Sequence, residues 1–445
     1  MTRVKPRRPS GFGEYLPAEQ LEFNRLLDII RTTYEKYGFG PIDTPDIELS
    51  EVLLAKGGGE TEQEVYRFTR EGSDKDLTLR YDLTVPLARY VAEHESDLIF
   101  PFRRYHIGKV HRAERAQAGR YREFYQCDID VIGSNSPLVD AEFPAIINEI
   151  FEQFQFGEFV IRLNNRQILN GFFEALGMKS LSGAVMRAID KMEKITPEAF
   201  AKLLKDAGLS AKHIEAVQTL TAIQGTNDEV LAALESLDIN NETFQAGLDS
   251  LKQVVAALRM MNIPEQRFQV DPKIARGLDY YTGTVYETNL LNYPGLGSVC
   301  SGGRYDDLAS YYTKTELSGI GISIGLSRLF YAMQQVGAIT ADTQSPAGTV
   351  VIPVDSDRHD YAIRVAAILR AHGVPTVLHA EDEVMSKKLR YANRMGFQYA
   401  VIVGPQEEAD NTVQLKNLHE RSEKTVPIES ISKTLFKLFF ATKQL

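Results

Sequence analysis

The segment 121–132, YREFYQCDIDVI, constrains the fold more than any other part of the sequence. Its aromatic and β-branched residues favour a β-strand, along which successive side chains point to opposite faces. One face then carries Tyr125, Cys127, Ile129 and Val131, and the other carries Phe124, Gln126, Asp128 and Asp130. The first face is suited to a hydrophobic core, so we interpret the second as a working surface. A solvated polar face is the simpler alternative.

Positive charge is concentrated just before this strand. The chain has 50 basic and 60 acidic side chains and a formal net charge of -10, which argues against a whole-surface electrostatic grip on nucleic acid. The stretch from Pro101 to Phe124 nevertheless contains the acids Glu114 and Glu123 among the basic residues Arg103, Arg104, Lys109, Arg112, Arg115, Arg120 and Arg122. This excess of positive charge predicts a local anion-binding patch and disfavours the simpler alternative.

The 445 residues are enough for two or three domains. Apolar residues at helical spacing predict a helix over 19–37, and extended segments are predicted near 77–90, 98–112 and 121–132. The pattern is helical from about 173 to 261 and strand-like again over 267–325. We therefore predict a domain over 1–335 built on an antiparallel sheet, with a helical insertion at about 173–261.

A change in composition at ITADTQSPAG marks the second boundary. Strand-like runs at 349–354, 376–378 and 399–403 alternate with helical stretches at 359–372 and 383–395. This βαβαβ order predicts a separate α/β domain over 349–445, after a linker at 336–348. Cys127 and Cys300 are too far apart in the sequence for a disulfide framework or a metal knuckle, and no apolar span is long enough for a membrane. A cytoplasmic protein is expected.

Five segments together resemble one enzyme family. HRAERAQAGRYREFYQCDIDVIG is similar to motif 2 of class II aminoacyl-tRNA synthetases, an antiparallel hairpin. RGLDYYTG at 276–283 and GGRYD at 302–306 resemble the two histidine-specific signatures of the histidyl-tRNA synthetases. YGFGPIDTP, with Pro45, resembles the dimer-interface motif 1, and GISIGLSRL, with Arg328, resembles motif 3. The resemblance implies a class II catalytic domain followed by an α/β anticodon-binding domain.

The resemblance also implies how ATP is bound. Arg112 would hold the α-phosphate, Arg276 would approach it beside the substrate carboxylate, and Arg120 would reach the γ-phosphate. A planar guanidinium suits such bidentate contacts better than an ammonium does. Mg²⁺ would accompany the nucleotide without a dedicated metal site in the protein. The adenine and the rest of the nucleotide would be held by Phe124, Arg328 and Glu114.

Histidine recognition is implied for a second group of residues. Asp82, Thr84 and Gln126 would bind the α-ammonium, while Asp130 and Tyr281 would bind the imidazole, because each ring nitrogen needs a polar partner. Arg276 and Tyr280 would also contact the amino acid. Asp82 and Asp130 stand where many family members carry glutamate, and Ser327 stands where the family often has glutamate in motif 3.

The resemblance further implies tRNA(His) as a partner and a homodimer formed through the Pro45 region. Arg115 and Gln117 would contact the acceptor end, and the helix SKKLRYANRMG would meet phosphates through Lys387, Lys388, Arg390 and Arg394. Two alternatives remain open. One is a histidine-sensing regulatory subunit of ATP phosphoribosyltransferase, and the other is a class IIa synthetase for proline, threonine or glycine. The motif 2 arginines and the C-terminal domain argue against the first, and the two signatures argue against the second.

Overall fold

The computed structural model describes residues 3–55, 64–69, 72, 75–115, 119–275, 281–306 and 310–441. The chain forms two compact units. The first contains Met1–Gly13 and Leu26–Ala338, and the second contains Glu14–Arg25 and Ile339–Leu445. The sequence had not indicated that Glu14–Arg25 groups with the C-terminal residues. No helix in the described ranges is both long and apolar enough to cross a membrane.

An eight-stranded sheet dominates the described part of the first unit, in the order β1-β5-β6-β11-β10-β9-β7-β8. Its inner neighbours are antiparallel, whereas the outermost pairs β1/β5 and β7/β8 are parallel. The strands of this sheet are β1 (Gly40–Pro41), β5 (Phe102–His111), β6 (Glu123–Ile132), β7 (Phe159–Asn165), β8 (Phe268–Val270), β9 (Tyr281–Leu290), β10 (Ser298–Tyr305) and β11 (Gly319–Ile324). A smaller sheet contains β2 (Ile47–Leu49), β3 (Arg67–Thr69) and β4 (Asp76–Leu79). The antiparallel sheet expected from the sequence is therefore present.

The helices of the first unit surround the large sheet and form most of the region between β7 and β8. Helix α10 packs against α4 and α5, and its Leu248, Leu251 and Val254 are fully buried. Helix α1 (Pro17–Lys36) belongs to this unit only from Leu26 onward. The other bounds are α2 (Ser50–Leu53), α3 (Thr84–Glu93), α4 (Pro137–Phe154), α5 (Arg166–Ala175), α6 (Ser182–Lys191), α7 (Pro197–Asp206), α8 (Ala211–Ala222), α9 (Asn227–Glu235), α10 (Glu242–Met260) and α11 (Leu326–Gln335). The predicted helical segment at 173–261 is thus helical as expected.

One predicted element differs. The sequence suggested an extended segment at 77–90, but β4 ends at Leu79 and helix α3 begins at Thr84. The carboxylate of Asp82 accepts a hydrogen bond from the backbone N–H of Val85 at 3.0 Å, which satisfies one of the donors exposed at the start of a helix. Pro86 lies in the first turn, where its missing N–H costs nothing.

The second unit contains a five-stranded sheet in the order β13-β12-β14-β15-β16, with the first three strands parallel. Its predicted βαβαβ order is present, and positive φ angles at Gly373 and Gly396 follow two of its helices. The elements are β12 (Thr349–Pro353), α12 (His359–Ala371), β13 (Thr376–Leu378), α13 (Met385–Met395), β14 (Tyr399–Val403), α14 (Pro405–Ala409), β15 (Thr412–Asn417), β16 (Glu423–Pro427) and α15 (Ile431–Ala441).

Candidate active site

A cavity of about 800 Å³ lies on one face of the large sheet. It brings together most of the residues that the sequence predicted for ATP and histidine. The predicted residues that line it are Asp82, Thr84, Arg112, Glu114, Arg120, Phe124, Gln126, Asp130, Tyr281 and Arg328. The alternation predicted for β6 explains part of this arrangement, because Cys127, Ile129 and Val131 are fully buried on the opposite face.

Asp130 is held in place from two neighbouring segments. Its carboxylate lies 2.5 Å from a guanidinium nitrogen of Arg104 on β5 and accepts a hydrogen bond from the hydroxyl of Tyr305 on β10 at 2.6 Å. Burial raises the pKa of Asp130, and these two partners oppose that shift. The carboxylate therefore has a fixed position at the cavity wall, from which it can accept a ring N–H.

Glycines make room for this carboxylate. A Cβ atom on Gly321 of β11 would collide with Asp130 and with the carbonyl of Ile129, and one on Gly302 of β10 would collide with the backbone of β11. Gly321 lies directly opposite Asp130 in the sheet. The close packing of β10, β11 and the Asp130 carboxylate therefore requires glycine at both positions.

Asp82 and Thr84 enter the cavity from the start of α3. Asp82 is 8% exposed, and burial raises its pKa, while its hydrogen bond to Val85 and the charge of Arg112 oppose the shift. The same contacts fix its position relative to the cavity. Asp82 is therefore suited to a cationic ligand, which would compensate a buried carboxylate.

The arginine side of the cavity contains the motif 2 hairpin. The Nε of Arg112 donates to the carbonyl of Tyr81 at 3.1 Å, and its guanidinium carbon lies 5.2 Å from the ring centroid of Phe124. Arg120 forms an ion pair with Glu114. These groups can bind the phosphates of a nucleotide through guanidinium N–H donors.

Ser327 connects the two residues that were predicted to hold adenine. Its hydroxyl accepts a hydrogen bond from the backbone N–H of Tyr125 at 2.9 Å, and its side chain is 4% exposed. Phe124 precedes Tyr125 on β6, and Arg328 follows Ser327 on α11. Arg328 itself donates to the carbonyl of Leu296 at 3.0 Å. The serine that departs from the family pattern therefore has a structural role.

Other predicted residues lie elsewhere. Arg276, Tyr280 and Gln117 fall outside the described residues, whereas Arg115 is exposed at the hairpin. On α13 of the second unit, Lys387, Arg390 and Arg394 are exposed, and a cation there can meet a polyanion. Lys388 does not fit that prediction.

Lys388 is completely buried, and its Nζ donates to the carbonyl of Pro353 at 2.8 Å. The prediction that its ammonium contacts tRNA phosphates is therefore corrected. The cause is helical geometry, since Lys388 lies on the side of α13 that packs inward with Ala392, one turn further along.

Several contributors to the site were not predicted. Arg104 and Tyr305 position Asp130, but both are distant from it in the sequence. Arg304 of the second signature instead forms an ion pair with Asp140 on α4, which also accepts a hydrogen bond from Thr284 at 2.6 Å. Only the alternation along β5 and β6 could have indicated Arg104, which pairs directly with Asp130. No group of three or more possible metal ligands occurs among the described residues.

Comparisons with known proteins agree with this geometry. The family model described as histidyl-tRNA synthetase matches residues 11–329, and the anticodon-binding domain model matches residues 349–438. The histidine–tRNA ligase of Clostridium tetani is 49% identical over 437 residues, covering 97% of this chain and 98% of the relative. The histidine–tRNA ligase of Xanthomonas campestris pv. campestris is 43% identical over 458 residues, covering 97% and 96% respectively.

Solved structures show the same fold. The histidyl-tRNA synthetase from Nostoc sp. PCC 7120 matches with a TM-score of 0.92 and 37% identity, covering 98% of this chain and 100% of that one. An ATP phosphoribosyltransferase regulatory subunit/histidyl-tRNA synthetase from Bacillus halodurans matches with a TM-score of 0.74 at 20% identity, covering 88% and 97%. At that identity the second match shows the fold alone.

Proposed function

Because the chain belongs to the histidyl-tRNA synthetase family, we propose that it ligates L-histidine to tRNA(His) in two steps. ATP and histidine first form histidyl-adenylate and pyrophosphate, and the histidyl group then passes to the 3′ end of the tRNA. The observation that carries this proposal is the single cavity in which Arg112 and Phe124 of the hairpin meet the acidic residues Asp82 and Asp130. The arginine is suited to the phosphates of a nucleotide, and the carboxylates are suited to the ammonium and ring N–H groups of histidine.

In the first step, a carboxylate oxygen of histidine attacks the α-phosphorus of ATP while the bond to pyrophosphate breaks. The protein mainly positions the reactants and offsets negative charge in such a reaction. Arg112 would bind the α-phosphate and Arg120 the γ-phosphate, with Arg276 approaching from the substrate carboxylate. The adenine would lie between Phe124 and Arg328, where stacking and cation–π attraction contribute about 0.5–2 kcal/mol, and Glu114 would help to hold the nucleotide.

Mg²⁺ would enter on the phosphate oxygens and offset charge on the departing pyrophosphate. The residues present are compatible with it, because Glu114 and Glu64 line the cavity near Arg120 and carboxylate oxygens are donors that Mg²⁺ prefers. In the nucleotide-free protein these carboxylates instead act on Arg120. They would hold the arginine until the phosphates arrive.

The site would recognise histidine through both its α-ammonium group and its imidazole ring. Asp82, Thr84 and Gln126 would bind the α-ammonium. Asp130, Tyr280 and Tyr281 would bind the imidazole, and the fixed position of Asp130 between Arg104 and Tyr305 supports its role as the ring acceptor. An apolar analogue of histidine would supply no ring N–H to this buried carboxylate. The site could therefore discriminate against such an analogue by up to about 10⁴-fold.

The tRNA would contact both parts of the chain. Arg115 and Gln117 would meet the acceptor end, and the insertion at about 173–261 would lie over the acceptor stem. The exposed Lys387, Arg390 and Arg394 support an anticodon-binding role for the domain at 349–445, joined by a linker at 336–348 to the catalytic domain at 1–335.

The protein would act as a cytoplasmic homodimer joined near Pro45. Support comes from β1, which lies at an edge of the described sheet and pairs only with β5 there, so its outer side is available to a second copy. Ile47, two residues beyond Pro45, is a large apolar residue and is 46% exposed.

An exchange assay across all twenty amino acids tests the function. Labelled pyrophosphate should enter ATP with histidine and with no other amino acid, and a charging assay with tRNA(His) should then give histidyl-tRNA. A protein that binds histidine but supports no exchange would instead favour the regulatory-subunit alternative.

A further inference from the structure

Asp128 is a buried carboxylate in the cavity to which neither the sequence nor the family resemblance gave a role. It lies on the polar face of β6 between Gln126 and Asp130 and is 3% exposed. Its Oδ1 atom has no hydrogen-bond partner among the residues that the structure describes. A buried carboxylate oxygen without a donor is unfavourable, so a ligand that supplies one would be stabilised here.

The side chain of Gln126 has a similar unused acceptor. Its Nε2 donates to the hydroxyl of Ser323 on β11 at 2.9 Å, and this contact fixes the orientation of the amide. Its Oε1 is buried and has no partner among the described residues. The same serine hydroxyl interacts with Asp128. Ser323 thus holds two neighbouring side chains that line the cavity, and each has one buried acceptor atom without a partner among the described residues.

These two acceptors match the α-ammonium of an amino acid. An ammonium carries three N–H donors and a positive charge, whereas a hydroxyl or a neutral ring nitrogen offers at most one donor. The charge of Arg104 acts on Asp128 from one side, while the carboxylates of Asp130 and Asp82 add negative charge around it, and an ammonium would offset that negative charge. We propose that Asp128 is an additional histidine-binding residue, which accepts a hydrogen bond from the α-ammonium of histidine beside Gln126. This proposal rests on the proposed function.

The imidazole is assigned to a different position for a structural reason. In the sheet, Asp128 lies between His106 and Ser323, whereas Asp130 lies between Arg104 and Gly321. The glycine lets the Asp130 carboxylate pack directly against β11, where Tyr305 and Arg104 fix it, whereas Ser323 lies at the corresponding place beside Asp128 and contacts Gln126. The two aspartates therefore divide the work: Asp130 binds the ring and Asp128 binds the amino group.

The test compares two ligands in the same protein preparation. Dissociation constants for histidine and for imidazolepropionate, which lacks the amino group, are measured by calorimetry on the wild type and on Asp128→Asn. Histidine should bind about 10-fold or more weakly to the variant, since the asparagine carbonyl can still accept a hydrogen bond but the negative charge that attracts the ammonium is lost. Imidazolepropionate should bind equally well to both proteins. The ratio of the two constants does not depend on the fraction of protein that is folded.

Two further variants make the outcome specific. Asp130→Asn serves as the matched control and should weaken both ligands, because it acts on the ring. Ser323→Ala should weaken histidine selectively but less than Asp128→Asn does, since it only releases the two acceptors. An unchanged ratio in Asp128→Asn, or an equal loss for both ligands, would overturn the assignment of Asp128. A wild type that shows no histidine-dependent exchange would overturn the proposed function itself.

Discussion

The hydroxyl of Ser327 accepts a hydrogen bond from the backbone N–H of Tyr125 at 2.9 Å. This contact joins the first turn of α11 to β6 across 202 residues of sequence. Because Arg328 and Phe124 are the adjacent residues, the bond fixes the distance between the two groups that would enclose adenine.

Ser327→Ala should raise the KM for ATP while leaving the KM for histidine nearly unchanged. The substitution leaves the half-buried N–H of Tyr125 without this acceptor, at a cost of about 1 kcal/mol, and loosens the spacing of Phe124 and Arg328. Exchange kinetics with each substrate varied in turn provide the measurement. Equal effects on the two KM values would show that Ser327 supports the fold in general and not the nucleotide.

Arg112→Lys should lower the rate of adenylate formation by about 100-fold or more. A lysine keeps the charge but loses the planar pair of donors and the contact with Phe124. The rate of adenylate formation would be measured in a single turnover with each protein. Arg115→Lys, an exposed substitution in the same hairpin, is the control and should leave the rate unchanged.

Gly321→Ala should reduce kcat/KM for histidine by about 100-fold or more. Its methyl group would displace Asp130 and press on the carbonyl of Ile129. Gly183→Ala is the control, because its new methyl would make only an ordinary contact with Arg187 on α6. If Gly321→Ala kept normal kinetics, the close contact between Gly321 and Asp130 would not be required for histidine binding.

His106 should make the protein less stable as the pH falls. Burial, reinforced by the charges of Arg104 and Arg80, lowers the pKa of His106 from 6.5 to about 4, against the opposing effect of Asp43. Between these values the unfolded chain takes up a proton that the native state does not, so the free energy of unfolding decreases from neutral pH down to about pH 4. The full effect is at most about 3 kcal/mol.

Urea unfolding of the wild type and of His106→Gln at pH 7 and pH 5 measures this effect, and the wild type should lose more stability between the two. Asp128, opposite His106 in the sheet, has a pKa raised to about 7 by burial and titrates in the other direction. The difference between the two proteins is therefore the informative quantity. An equal loss in both would contradict the prediction.

Arg390→Glu combined with Arg394→Glu should raise the KM for tRNA about 10-fold or more at low salt, because the charges of two proposed phosphate contacts are reversed. Histidine-dependent exchange, which needs no tRNA, should stay unchanged. The control reverses Lys433 and Lys437, which are exposed on α15 of the same unit. A similar loss in both double variants would indicate a general charge effect and not a binding surface on α13.

Local patterns predicted the parts of the site that lie along one strand. The alternation from Phe124 to Val131 assigned each side chain to its face, since the period of a strand depends only on neighbouring residues. Long-range partners could not be predicted in this way. The pairing of Arg304 with Asp140 joins residues 164 positions apart, and no local pattern indicated it.

The sequence pattern also gave wrong predictions where tertiary packing determines the orientation of a side chain or the start of a helix. Four cations on α13 have the same character in the sequence, but only the three-dimensional packing shows that Lys388 points inward to Pro353. The segment 77–90 was predicted as extended because its apolar residues do not reveal the turn that Asp82 starts. The orientation of such side chains depends on partners that are distant in the sequence. A local sequence pattern does not reveal those partners.

The ion pair between Arg120 and Glu114 means that the resting cavity already carries its own counterion. Entry of a triphosphate is then an exchange of partners for Arg120 and not a simple addition of opposite charges. Fewer mobile ions would be released than the number of arginines suggests, so ATP affinity should respond only weakly to ionic strength.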